Sequence, residues 1–118
     1  WLTPALLPAL TFLIAGVIAF ATGTSWGTFA IMMPIAAPMA LAFSGGELSS
    51  LLYACVAAVA GGGVFGDHCS PLSDTSILAS TGAASDHIDH IKTQMPFALL
   101  TGALSILAYL LLGFAIEV

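Results

Sequence analysis

The chain has 118 residues, 59% of them hydrophobic and only 6% charged, with a mean hydropathy of +1.09. Soluble proteins give about a quarter of their residues to charge, so one Lys and six acids cannot keep such a surface in water, and a soluble globular domain is excluded. With no Arg to help that Lys neutralise phosphates, nucleic-acid binding is excluded as well.

Residues 1–46, 48–66 and 93–116 carry no charge at all, which makes apolar runs of bilayer-spanning length the dominant feature. The expected class is all-α and integral to a membrane. Neither a basic leader nor a small-residue cleavage pattern follows Trp1, so the chain reads as the C-terminal portion of something longer. Cys55 lies in an apolar stretch and Cys69 in a polar one, too few and too unlike to form a disulfide framework.

The first two apolar blocks run from Ala5 to Ala21 and from Phe29 to Phe43, joined by the uncharged connector Thr22-Gly23-Thr24-Ser25-Trp26-Gly27-Thr28. Each offers roughly 23 to 25 Å of helix, short of the roughly 30 Å hydrocarbon core. Residues 1–46 are therefore expected to form a re-entrant helical hairpin, with two short tilted spans as the alternative. Pro34 and Pro38 should bend the second arm.

The third block starts at Leu48, with Glu47 placed to favour the helix N-terminus, and meets Gly61-Gly62-Gly63. Three glycines weaken a helix by roughly 1 kcal/mol each relative to Ala, so the helix is expected to stop there. The stretch from Val64 to Pro71 does not readily resume it, because Pro71 lacks an N–H and restricts Ser70. Ser73 or Asp74 then caps a short helix from Thr75 to Thr81, ended by Gly82. Residues 47–83 thus have the form of a discontinuous transmembrane helix. Residues 84–94 read as an interfacial amphipathic segment, with Ile88 and Ile91 facing lipid or protein, and residues 95–118 as one full transmembrane helix flanked by Lys92 and Glu117.

The scarce charge is concentrated. Residues 67–92 hold four of the six acids, the only Lys and all three His. An unwound segment in a membrane exposes carbonyl oxygens and helix ends, which is how secondary transporters build ion sites. Asp67, Ser70, Ser73, Asp74 and Thr75 add side-chain oxygens, and Thr24 and Ser25 of the first connector add more. Such hard oxygen donors suit a small hard cation such as Na⁺ rather than a soft metal. Burial disfavours the ionised form of a carboxylate and a bound cation favours it, so one such group can hold either a proton or a sodium ion. Asp74, between hydroxyl neighbours, is the first choice for that group and Asp67 the second. His68, beside Asp67, is the candidate proton relay. His87 and His90 are spaced i, i+3, but without a second tight ligand pair they read as part of a polar turn rather than a zinc site. No cofactor is expected. Gly23-Thr24-Ser25-Trp26-Gly27 lacks the strand–turn–helix setting of a hydrolase elbow, and no Lys or Arg follows the Gly61–Gly66 cluster as a phosphate loop requires, so an enzyme is not expected.

The stretch from Gly62 to Ala83, with its Asp67-His68-Cys69-Ser70-Pro71-Leu72-Ser73-Asp74-Thr75 string, and the following Asp86-His87-Ile88-Asp89-His90-Ile91-Lys92-Thr93-Gln94 closely resemble the C-terminal signature of NhaC-type sodium/proton antiporters. Ala21 to Thr28 resembles another segment of the same family, so the likeness covers nearly the whole chain. The resemblance implies an integral protein of the cell membrane that exchanges Na⁺ for protons, within the wider ion-transporter superfamily, where inverted repeats each contain a re-entrant hairpin and a broken helix. It also implies the N-terminal half of the same transporter as a partner, beside the lipid bilayer, and leaves a homo-oligomer open. Ser73-Asp74-Thr75 is similar to the Ser-Asn-Thr triplet of the superfamily's dicarboxylate carriers with an acid in place of the amide. Some relatives exchange malate and lactate, which makes an organic-anion antiporter the alternative function.

Overall fold

The computed structural model describes residues 3–117; Trp1 and Val118, which bound the segments expected above, lie outside them. A 3-10 turn at Pro4–Leu6 leads into α1 (Leu7–Thr22), α2 (Ser25–Phe43), α3 (Ser50–Cys69), α4 (Asp74–Gly82) and α5 (His87–Glu117). Four stretches are long and apolar enough to cross a membrane: Pro4–Thr22, Ser25–Phe43, Ser50–Cys69 and His87–Ile116.

Between the first two helices, the expected seven-residue connector shrinks to Gly23 and Thr24. Gly23 adopts a left-handed conformation (φ 71°) that ends α1, its N–H donating to the Ala19 carbonyl at 2.8 Å. Thr24 caps α2, its hydroxyl accepting from the Gly27 N–H at 3.2 Å. Helix therefore extends into residues read as loop, and both arms reach 19 residues, or about 28 Å. Arms of that length nearly match the hydrocarbon core and lie within the range of ordinary spanning helices, so length does not separate a re-entrant hairpin from two spans. Helix α2 also continues through Pro34 and Pro38.

The largest departure from expectation is at Gly61-Gly62-Gly63, where α3 does not stop. It runs on to Cys69, beginning at Ser50 under a cap in which Ser49 Oγ accepts from the Leu52 N–H at 3.3 Å, while Glu47 stays exposed outside the first turn. The glycines serve packing. A Cβ on Gly62 would run into the Phe12 carbonyl oxygen, and one on Gly66 into the Gly16 carbonyl oxygen. Helices α1 and α3 thus approach backbone to backbone, the small-residue packing by which helices associate in lipid. That contact offsets the weak intrinsic helix propensity of glycine.

Around this pair, two apolar clusters fix α2. Leu7, Ala40, Leu51, Leu52 and Cys55 form one; Ala15, Met32, Ala36 and Val59 form the other. Helix α5 joins through aromatic contacts, with Phe12 stacked on Phe65 at 5.7 Å between centroids and 5.4 Å from Tyr109. Its opposite side, including Leu100, Leu104, Leu107, Leu111 and Phe114, is exposed. Residues 84–94 are not set apart from the last helix: from His87 onward they are the first turns of α5, a continuous helix of 31 residues. Ile88 is exposed, whereas Ile91 is buried against the protein.

Candidate cation site

The helical pattern fails at Ser70-Pro71-Leu72-Ser73, between α3 and α4, one helical turn or more past the expected glycines. Pro71 offers no N–H, and Ser70 and Ser73 have extended backbone, the conformation favoured before proline and at helix caps. The hairpin tip braces this break. A Cβ on Gly23 would lie 2.7 Å from the Leu72 carbonyl, so only glycine allows the tip so near, and Ser70 Oγ donates to the Phe20 carbonyl of α1 at 2.7 Å. The two breaks identified in the sequence therefore meet in space.

Asp67, in the last turn of α3, is 9% exposed. Ser73 Oγ donates to its Oδ1 at 2.6 Å, and Thr75 Oγ1 lies 3.3 Å from its Oδ2. Ser73 and Thr75 are themselves 2.6 Å apart, hydroxyl to hydroxyl. Four oxygens thus converge with only two hydroxyl hydrogens to share: if Thr75 donates to Ser73, nothing in the cluster donates to Oδ2. An electron-rich oxygen group of this kind is completed by a proton on the carboxyl or by a hard cation.

Asp74, ranked first from sequence, is elsewhere. It occupies the first position of α4, is exposed, and among the described residues accepts only from the adjacent Thr75 N–H at 2.9 Å. Ser70 is fully buried but serves as a brace. Thr24 Oγ1 is spent on its cap, Thr28 Oγ1 donates to the Thr24 carbonyl at 2.8 Å, and neither Thr24 nor Ser25 hydrogen-bonds to the Asp67 cluster among the described residues. The tip contributes backbone proximity rather than ligands. His68 points away from Asp67: its ring is exposed and lies 2.7 to 2.9 Å from the Gln94 amide nitrogen of α5, which also donates to the His68 carbonyl at 3.1 Å. Pairing with Gln94 sets His68 about 10 Å along α5 from His87, nearer the charged end of that helix than its middle. A cavity of about 270 Å³ opens there, lined by His68, Thr75, Ser76, Ala79, His90 and Gln94, so Thr75 borders both Asp67 and a space with room for several waters.

Two contributors escaped the sequence reading. Ser76 Oγ donates to the His68 carbonyl at 3.3 Å, and His87 contacts the break itself. The concentration of hydroxyl residues and histidines in a charge-poor chain was the available signal.

Among the described residues, four apolar helices long enough to cross a membrane, one of them carrying a buried carboxylate in its last turn, mark a multi-pass membrane protein. The model of the Na⁺/H⁺ antiporter family matches residues 1–114, and the chain belongs to that family. An uncharacterized protein of Haemophilus influenzae is 50% identical over 92% of this chain. The arginine/ornithine antiporter ArcD of Halobacterium salinarum is 34% identical over 99% of it. The malate-2H⁺/Na⁺-lactate antiporter of Bacillus subtilis is 30% identical over 94%. The chain spans 20% of the first relative's length and 23% of the other two. No solved structure matches. The family match and the four span-capable helices place the protein in the cell membrane, and the named relatives are antiporters.

Proposed function

We infer that the complete protein exchanges Na⁺ for protons across the cell membrane and that the Asp67–Ser73–Thr75 cluster holds the exchanged ion. The observation carrying this reading is a buried carboxylate beside a break between helices, joined by two hydroxyls that also touch each other, so that two hydrogens serve three oxygen–oxygen contacts. One carboxylate that takes either a proton or Na⁺, never both, couples the two flows. In this reading α3, the break and α4 form the discontinuous transmembrane helix, and Gly23-Thr24 is the tip of a re-entrant α1–α2 hairpin; the uncharged two-residue connector and its contact with Leu72 support that. Thr24, Ser25 and Asp74 would join the site only through segments supplied by the rest of the transporter, the N-terminal half that is its proposed partner.

Reconstituted in vesicles, the complete protein should move protons in response to a Na⁺ gradient, and Asp67→Asn should abolish this while leaving membrane assembly intact. Normal exchange in Asp67→Asn overturns the assignment. A second reading, an organic-anion antiporter, is favoured by the likeness to the malate/lactate exchanger. It predicts counter-transport of labelled malate or lactate by the same vesicles.

A further inference from the structure

The geometry points to His87, in the first turn of α5, as the residue that positions the cation site by clasping the break to α4; this rests on the reading of Asp67 as the ion-binding group. Pro71 lacks an N–H, so its carbonyl is the only backbone group through which hydrogen bonding can hold that residue. His87 Nε2 lies 2.7 Å from that carbonyl oxygen. A carbonyl only accepts, so the ring carries a hydrogen on Nε2 and donates it. On the other side of the ring, Nδ1 lies 3.2 Å from Ser80 Oγ of α4, whose single hydrogen serves either Nδ1 or the Ile77 carbonyl at 2.9 Å. Both ring nitrogens of a half-buried histidine are thereby engaged with inward partners, where an interfacial histidine would turn to water.

The consequence falls on Ser73. Its N–H closes a turn to the Ser70 carbonyl at 3.3 Å, and its Oγ reaches Asp67 at 2.6 Å, so the peptide planes between Ser70 and Ser73 set where that hydroxyl points. From the α1 side the break is held by the Ser70 bond to Phe20 and by Gly23 against Leu72. His87 is the hold on Pro71 from the α4–α5 side. Losing it frees the Pro71 carbonyl and lets Ser73 drift from Asp67, which weakens ion binding without removing any ligand.

The test uses side chains that place a donor differently. In the complete protein in vesicles, the amide nitrogen of a glutamine at 87 reaches where Nε2 sits, whereas that of an asparagine reaches only as far as Nδ1. His87→Ala and His87→Asn should raise half-saturating Na⁺ by about tenfold, the usual scale of one lost hydrogen bond, with the maximal rate per inserted transporter kept. His87→Gln should return within about threefold of wild type. If Asn and Gln behave alike, or if both match wild type, the clasp is refuted; this pair decides the matter even where the alanine variant fails to insert. Asp67→Asn, measured beside them, separates the two ideas. Its retained exchange sinks the ion-site reading, whereas its loss together with unaltered Na⁺ dependence in all three His87 variants sinks only the clasp.

Discussion

Two stretches of α3 and its sequel look alike in sequence as helix breakers and behave in opposite ways. Gly61-Gly62-Gly63 stays helical, and Ser70-Pro71-Leu72-Ser73 does not. Glycine lowers the cost of leaving a helix but removes no hydrogen bond, so a neighbour that rewards close approach keeps it helical. Proline removes a donor and clashes with the preceding turn, and serines supply alternative partners for the backbone, so the second stretch unwinds whatever packs on it. In a membrane the first kind of sequence makes an interface. The second makes a site.

The comparison breaks most severely if the site tolerates loss of its carboxylate, and Asp67→Asn is expected to eliminate Na⁺-driven proton movement altogether in the vesicle assay. Gly62→Ala comes next: the added methyl meets the Phe12 carbonyl, and overpacking of this kind costs roughly 1 to 3 kcal/mol, which thermal denaturation in detergent should register as a clear drop in midpoint. Ser73→Ala removes the shorter of the two hydroxyl bonds to Asp67 and should raise half-saturating Na⁺ by about tenfold with little change in thermal stability. Asp74→Asn acts on an exposed carboxylate outside the cluster, so its shift in the same assay should stay within about threefold; complete loss there would return the site to Asp74. The smallest effect is expected of Gly61→Ala, one residue from the severe case. Its new methyl meets only the Tyr109 hydroxyl at 3.3 Å and aromatic edges of Phe12, and the helix-propensity gain of about 1 kcal/mol opposes that crowding. Equal destabilisation by Gly61→Ala and Gly62→Ala would show that the stretch is weak as helix rather than tight as interface.

How much of this was legible beforehand differs from residue to residue. The break near Pro71 could be read because proline acts locally, and the start of α4 after Ser73 because a hydroxyl before an acid is a local pattern, although the Ser73 hydroxyl bonds Asp67 instead of capping α4. The Gly61 stop was misread because propensity is a local quantity and the compensating contact with Phe12 and Gly16 is some 50 residues away in the chain. The connector was drawn too long because Thr22 and Ser25 are compatible with either helix or loop, and capping by Gly23 and Thr24 settled it. Asp74 is flanked in sequence by Ser73 and Thr75 and Asp67 by Gly66 and His68, yet it is Asp67 that those two hydroxyls meet in space.

The sequence by itself determined that this protein lives in a membrane, that its charge is gathered into residues 67–92, and that its signature is that of an antiporter, because composition and short strings survive without knowing what touches what. Only the tertiary structure decided which carboxylate is buried beside the break. Asp67 faces inward because α3 remains helical through its glycines and carries that side chain on toward Ser73 and Thr75, whereas Asp74 begins α4 on its exposed side. Burial of one acid and exposure of another depends on helix phase and on the neighbour packed against it, and both are set by contacts between residues far apart in the chain.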